Sequence, residues 1–279
     1  MIWIMETKRS NNKPLVIFFL LSYFLAWGLM GLFIAQNHGW VSPDIPFEPF
    51  LILGSWFPNI AAFLVIAFVL KQKGGIRQLL KGWLKFKVPV FWYLVAITPV
   101  VFAVLSMFIY KLLYGVNPVS EIVFDPMSML ALLIISTITG ATGEELGWRG
   151  FALPRLQMKM SALCASLVLG VIWTMWHLPM WFAGLGYEKI PFAAYAILVM
   201  SYTVIITWAC NNSRGSMVIV TLFHLMMNVA MNILEVQAFF VYALLVLVIT
   251  VLVVSLYGPS KLSKAAELPI DKDTGEWVN

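Results

Sequence analysis

Long apolar runs recur along this chain and constrain its fold more than any other feature of the sequence. The hydrocarbon core of a bilayer is about 30 Å thick and needs about 20 apolar residues in each helix that crosses it. Eight runs of about that length are separated by polar segments. We therefore predict an all-α polytopic membrane protein, a bundle of about eight transmembrane helices. The predicted spans are 14–36, 49–70, 88–113, 127–152, 161–183, 191–210, 215–233 and 237–257.

The composition excludes an ordinary soluble domain. Of the 279 residues, 61% are hydrophobic and 11% are charged, and the mean hydropathy is +0.89. Soluble domains are about 25% charged. The alternating pattern of a membrane β-barrel is absent as well, so a helical bundle is the fold that the sequence supports.

Lysine and arginine are distributed unevenly between the predicted loops. An even number of spans puts both termini on one side, and that side collects 16 of the 18 lysines and arginines. By the positive-inside rule this side is cytoplasmic, and we expect the cytoplasmic membrane of a bacterium. The charged residues of the opposite loops are Asp44, Glu48, Glu121, Asp125, Glu188 and Glu235, with Lys111 and Lys189.

The chain divides into three regions. Residues 1–126 hold the first three spans and a basic segment, 71–87, whose six cations alternate with apolar side chains. Such a segment is typical of an interfacial helix on anionic lipid, so we expect membrane lipids and not nucleic acid as its partner. Residues 127–257 hold the spans with polar motifs. Residues 258–279 form a polar cytoplasmic tail that we expect to be mobile.

Ionisable side chains occur inside the fourth span, where insertion scales assign each a cost of about 2.5–3.5 kcal/mol. Glu145 and Arg149 are one helical turn apart and can pair. Glu144 points about 100° away from Glu145 and remains available. Taken alone, these residues could equally mark the water-exposed end of the span.

Two further spans contain histidine. The fifth carries His177 in "VIWTMWHLP", and the seventh carries His224 and Asn228 on one helical face. Each set alone is more readily explained by interhelical hydrogen bonding. With a spare carboxylate, however, they are the groups needed to activate a water and stabilise an oxyanion. The predicted bounds place Glu144 about 13 Å from the inner end of the fourth span. They place His177 about 24 Å from the inner end of the fifth span.

Three motifs resemble those of a known family. "EELGWR" (144–149) is similar to E-E-x-x-x-R, "WTMWH" (173–177) to aromatic-x-x-x-H, and "HLMMN" (224–228) to H-x-x-x-N of the CPBP intramembrane proteases. This family includes type II CAAX prenyl endopeptidases and the bacterial Abi and lysostaphin-resistance-type proteins. The resemblance covers about 127–233. It implies an eight-helix bundle with a polar chamber and an endopeptidase that acts on a membrane-associated protein or peptide.

The resemblance and the chemistry of the groups predict the same roles. Glu144 acts with His177 to activate water, and Glu145 is oriented by Arg149. The oxyanion is stabilised by His224 and Asn228. Trp173 stands where the family commonly has Phe, and we expect it to serve packing.

A zinc site is an alternative for the same groups. Glu144, His177 and His224 could bind the metal and leave one position open for water. No H-E-x-x-H spacing preorganises these ligands, however. We therefore expect that no cofactor is obligatory and keep zinc as the alternative.

Two other functions use the same residues differently. A proton-coupled membrane transporter could use them as a relay, although the sequence shows neither an inverted repeat nor paired broken helices. In a non-catalytic membrane immunity or scaffold protein, they would only hold the helices together. The endopeptidase is the leading hypothesis because it gives a role to each member of the set.

Overall fold

The computed structural model describes residues 12–42, 48–120, 123 and 125–278. In these residues the regular structure is helical and no strand is formed, which confirms the predicted all-α polytopic fold. The first eleven residues, Asp44 and Glu121 lie outside the described part of the chain. The main helices are α1 (Lys13–Asn37), α2 (Glu48–Ser55), α3 (Phe57–Leu64), α4 (Gly75–Leu80), α5 (Val90–Tyr114), α6 (Pro126–Gln157), α7 (Ala162–Trp176), α8 (Phe192–Asn212), α9 (Met217–Ile233) and α10 (Phe239–Tyr257).

Within the described residues, six helical segments are long and apolar enough to cross a bilayer. They are Lys13–Asn37, Val90–Tyr114, Pro126–Gln157, Ala162–Phe182, Phe192–Asn212 and Val236–Tyr257. The other two predicted spans correspond to shorter apolar helices, Phe57–Val69 and Met217–Ile233. The predicted second span is broken near Pro58, because proline lacks the amide hydrogen that would continue α2 into α3.

The bundle is built around α8. This helix contacts α7 on one side and α10 on the other, while α9 lies against α5. In α8, 72% of the apolar window is buried, against 39% or less in the other five long segments. α6 in turn contacts both α9 and α7, so the helices that carry the polar motifs are neighbours inside the protein.

α6 is longer and less regular than the sequence predicts. It extends to Gln157, past the predicted end at residue 152, and contains two π-helical segments, Thr137–Ala141 and Leu146–Ala152. A π-helix carries an extra residue in its turn and shifts the side chains that follow it. The two segments flank Thr142–Glu145, so they determine where the glutamates point.

The length of α6 also corrects the predicted depths of Glu144 and His177 in the bundle. Glu144 lies 13 residues, or about 20 Å, before the end of α6 at Gln157. His177 lies 15 residues, or about 22 Å, after the start of α7 at Ala162. The two side chains therefore reach similar depths, and the difference estimated from the shorter span disappears.

α3 packs closely against the middle of α6. A Cβ on Gly147 would lie 2.5 Å from the backbone carbonyl of Pro58, so a larger residue could not approach in this way. Asn59, whose role was not evident from sequence, donates to the Thr142 carbonyl at 2.8 Å and accepts from the Gly147 amide at 2.9 Å. These bonds bracket the turn of α6 that carries both glutamates.

The tail is folded, and the expectation that it is mobile is wrong. Residues 269–278 form a short hairpin in which the Asp271 amide donates to the Glu276 carbonyl at 2.8 Å. Trp277 is buried against the end of the bundle that carries the basic segment. The polar composition of the tail hides this single large apolar side chain, whose burial stabilises docking.

Candidate active site

Polar side chains from α6, α7 and α9 face one cavity. The cavity has a volume of about 480 Å³, and Glu144, His177, His224 and Asn228 all line it. Much of the remaining wall is apolar, including Trp27, Met30, Ile52, Ile135 and Met180. The sequence motifs, which are spread over residues 144–228, therefore meet at a single site.

Three of these groups surround one point beside Gly140. A Cβ on Gly140 would lie 3.0 Å from Asn228 Nδ2, 3.2 Å from His224 Nε2 and 3.4 Å from Glu144 Oε1. These distances show that the three polar atoms converge on the surface of α6 at Gly140. Because glycine has no side chain, this surface leaves space beyond the Cα for a water or for the carbonyl oxygen of a substrate.

Glu144 is held by two tryptophans. Its Oε2 accepts hydrogen bonds from the indole N–H of Trp173 at 2.6 Å and of Trp148 at 3.1 Å. Its Oε1 lies 4.0 Å from His177 Nε2. Two donors thus fix one oxygen and leave the other facing the cavity. Trp173 therefore does more than the packing expected of it, since the Phe common at this position has no N–H.

The hydrogen bonds of His177 assign its tautomer. Nδ1 lies 2.8 Å from the Trp173 carbonyl, which can only accept, so Nδ1 carries the hydrogen in the neutral ring. Nε2 is then an acceptor that faces Glu144. A single water can bridge atoms 4.0 Å apart at ordinary hydrogen-bond lengths. Glu144 and His177 can therefore hold one water, with each residue accepting one of the two hydrogens of that water.

Glu145 connects the other two predicted side chains. Its Oε1 accepts from Arg149 at 2.8 Å, as the helical spacing predicts, and from His224 Nδ1 at 2.7 Å. Glu145 and Arg149 are fully buried, and the guanidinium carbon of Arg149 lies 4.1 Å from the ring centroid of Trp173. The carboxylate thereby orients the His224 ring with Nε2 toward the cavity. Six of six predicted site residues thus belong to one cluster, four in the cavity wall and two directly behind it.

Sequence reasoning missed three residues of this cluster. Trp148 is one turn after Glu144, a spacing that could have suggested the contact. Gly140 and Asn59 carry no comparable signal, because their roles depend on which helices become neighbours. Tyr187, from the loop after α7, also lines the cavity.

The proposed zinc ligands do not have the geometry of a zinc site. Ligand atoms of a tetrahedral zinc lie about 3.4 Å apart, since Zn–N and Zn–O bonds are about 2.0–2.2 Å. Glu144 Oε1 and His177 Nε2 are 4.0 Å apart, which is wider than this spacing. Within the described ranges, no three His, Cys, Asp or Glu residues are grouped to hold a metal ion.

Comparison with known proteins identifies the region that contains this cluster. Residues 126–230 match the family model described as type II CAAX prenyl endopeptidase Rce1-like, and they include all six predicted site residues. A curated relative, CAAX prenyl protease 2 of Methanococcus maripaludis, is 32% identical over 119 residues. The match covers 40% of this chain and 42% of the relative, so the chain spans less than half the length of that protein. These two matches confirm the resemblance to the CPBP intramembrane proteases that the three motifs indicated.

Proposed function

We propose that this protein is an intramembrane endopeptidase that hydrolyses a peptide bond of a membrane-associated protein or peptide. The observation that carries the proposal is the convergence of Glu144, His224 and Asn228 on the space beside Gly140, with His177 adjacent. The family match over residues 126–230 and the match to the curated relative support a protease independently of this geometry.

The geometry supports a mechanism in which water is the nucleophile. A water that donates to Glu144 Oε1 and His177 Nε2 keeps a lone pair for the carbonyl carbon of the peptide. As the C–O bond forms, Glu144 takes a proton from the water. The C–N bond then breaks, and the same proton passes to the leaving amine. Glu144 is thereby returned to its ionised form.

The oxygen of the attacked carbonyl becomes negatively charged between these steps. Asn228 Nδ2 can donate a hydrogen bond to it from α9. Glu145 holds Nδ1 of His224 and turns Nε2 of the same ring toward this oxygen. Arg149 balances the charge of Glu145 behind the cavity. Every step uses side chains of this chain, and we propose that no metal is obligatory.

We also propose that the cavity opens on the extracytoplasmic side. Its wall includes the outer half of α1 and Leu185 and Tyr187 from the loop after α7. The basic segment, 71–87, lies at the other end of the bundle, which the positive-inside rule assigns to the cytoplasm. The substrate segment is then presented from the outer leaflet or outside the cell. The cytoplasmic tail of a prenylated protein would not reach this opening.

The test compares the wild type with Glu144→Gln, each purified in detergent and offered membrane-associated peptides and proteins. We expect turnover to fall by about 10³-fold, within the range for the loss of a general base. Glu188→Gln, on an exposed loop, is the matched control and should retain full activity. Equal turnover by Glu144→Gln would exclude the assigned base. Solute flux in vesicles without peptide cleavage would favour the transporter.

A further inference from the structure

The tail hairpin, residues 269–278, lies outside every motif and plays no part in the mechanism described above. An antiparallel bridge joins Ile270 to Trp277, and Gly275 adopts a φ of +66° in the turn. Trp277 is only 7% exposed. A hairpin that buries its one large side chain against the bundle has a specific docking site.

Trp277 is hydrogen-bonded to the backbone of Arg149 in α6, the residue whose side chain pairs with Glu145. Its indole N–H donates to the Arg149 carbonyl at 2.8 Å. This carbonyl lies in the π-helical segment, where the usual donor is the amide five residues further on. That residue is Pro154, which has no amide hydrogen. The indole of Trp277 therefore supplies a donor that the π-helix cannot provide.

The docking site is shaped for the indole. Gly215, between α8 and α9, has a φ of +71°, and a Cβ there would lie 2.4 Å from the Trp277 ring. The ring therefore lies directly on the backbone of this loop. Lys85 of the basic segment donates to the carbonyls of Arg214 and Val278, each at 2.9 Å. The hairpin is thus attached to the same loop that precedes α9.

A second pair of contacts attaches the hairpin to α6 and to the segment before α4. Glu276 Oε1 lies 3.8 Å from Arg155 and accepts a hydrogen bond from Gln72 at 3.0 Å. Arg155 is itself buried and donates to the Phe151 carbonyl at 2.9 Å. Tail contacts therefore occur at two successive turns of α6.

The contacts continue from the hairpin to the cavity without a gap. Arg149 accepts from Trp277 through its backbone and donates to Glu145 through its side chain. Glu145 in turn bonds to His224 Nδ1. A shift in the backbone of this turn would move the carboxylate and, with it, the His224 ring.

We propose that Trp277 is a positioning residue and that the docked tail hairpin holds the π-helical turn of α6 in the geometry that hydrolysis requires. This inference rests on the proposed function for its effect on turnover. Its structural part, the restraint on α6, stands on the contacts alone.

The activity test uses Trp277→Phe, which keeps the ring and removes the donor, and Trp277→Ala, which removes both. We expect kcat to fall by about tenfold in the Phe variant and further in the Ala variant, with KM unchanged. Trp40→Phe is the matched control, because Trp40 is 77% exposed on the opposite side and should keep full activity. Wild-type kcat in both Trp277 variants would overturn the proposal.

Amide hydrogen exchange in detergent provides a readout that needs no substrate. We expect faster exchange in residues 146–157 of Trp277→Ala and unchanged exchange in α8. Unchanged exchange in residues 146–157 would contradict the restraint, and uniformly faster exchange would show general destabilisation and overturn a positioning role. If the wild type cleaves nothing, the proposed function fails, while the exchange experiment still decides whether the hairpin holds α6.

Discussion

Trp173 on α7 donates its indole N–H to Glu144 on α6 across 2.6 Å. Trp148 adds a second donor to the same oxygen at 3.1 Å, from within α6. A buried carboxylate needs hydrogen bonds to compensate for the loss of water. Here both donors bind Oε2, so Oε1 remains free to bind the water that we propose on the side of His177. The two tryptophans therefore determine which oxygen of Glu144 can act.

Trp173→Phe tests this arrangement, because it removes one donor and keeps an aromatic ring. We expect kcat to fall by about tenfold, the effect of one hydrogen bond to a charged group. The double variant that also carries Trp148→Phe should lose more activity, because Oε2 of Glu144 then has no indole donor.

The measurement is steady-state peptide cleavage. Trp83→Phe, on the basic segment, is the control. Full activity in the double variant would show that the indole bonds do not orient Glu144.

Gly140 provides a second prediction. In Gly140→Ala the methyl group would lie 3.0 Å from Asn228 Nδ2 and 3.2 Å from His224 Nε2, at the edge of the space in which we place the substrate oxygen. We expect cleavage to fall by at least about tenfold, because misplacement by an ångström can cost about 10²-fold. Thermal unfolding in detergent should change little, since Ala favours a helix more than Gly does.

The control for this variant is Gly28→Ala in α1, where a Cβ has no heavy atom within 4 Å. It should leave both cleavage and unfolding unchanged. Wild-type cleavage by Gly140→Ala would mean that the point beside Gly140 is not used in the reaction. The comparison separates the effect of a methyl group in the cavity from that of a helical substitution in general.

The sequence predicts those parts of the site that depend on local spacing. Glu145 and Arg149 are four residues apart on one helix, and their ion pair follows from that spacing. The bond between Glu145 and His224 joins residues 79 positions apart. It depends on α9 packing beside α6, and no periodicity specifies which helices become neighbours. The motif resemblance supplied the set of residues but not their contacts.

The same limit applies to the fold. Apolar runs of about 20 residues predict helices because each helix satisfies its own backbone in lipid. The π-helical turns of α6 follow instead from tertiary contacts, such as the hydrogen bond from the Gly147 amide to Asn59. Docking of the tail depends on single contacts such as the burial of Trp277, which a polar average over residues 258–279 conceals. Single contacts of this kind are not visible in composition or hydropathy.

The buried ion pair leads to a prediction about stability. Arg149→Met leaves Glu145 fully buried with a charge and without its cation. We expect a loss of about 3–5 kcal/mol, the usual effect of breaking a buried pair. The double variant Arg149→Met with Glu145→Gln should recover part of this loss, because no uncompensated charge remains. Thermal unfolding in detergent measures both. A double variant less stable than the single one would contradict this explanation.

Removal of metal ions tests the choice between a bound water and zinc. The 4.0 Å separation of Glu144 Oε1 and His177 Nε2 suits a bridging water. We therefore expect that EDTA and 1,10-phenanthroline leave cleavage unchanged after prolonged dialysis. Elemental analysis of the active sample should show zinc well below one atom per chain. Activity that is lost with the chelator and restored by added zinc would contradict the proposed mechanism.

The proposed orientation predicts which residues are reached from outside the cell. Leu185, 36% exposed, lines the cavity, and Lys73 is exposed on the basic segment. In a background with Cys164→Ser and Cys210→Ala, Leu185→Cys should react with a membrane-impermeant maleimide on intact bacterial cells. Lys73→Cys should react only after lysis, because the positive-inside rule places it in the cytoplasm.

The opposite labelling pattern would show that the bundle has the inverse orientation in the membrane. The cavity would then open on the cytoplasmic side, where cytoplasmic protein tails can reach it. Pre-incubation with a peptide that the enzyme cleaves should protect Leu185→Cys from the maleimide, because Leu185 lines the cavity. The reaction of Lys73→Cys after lysis should be unchanged, because Lys73 does not line it. Protection of Leu185→Cys would therefore link the side that is labelled to the side from which the substrate enters.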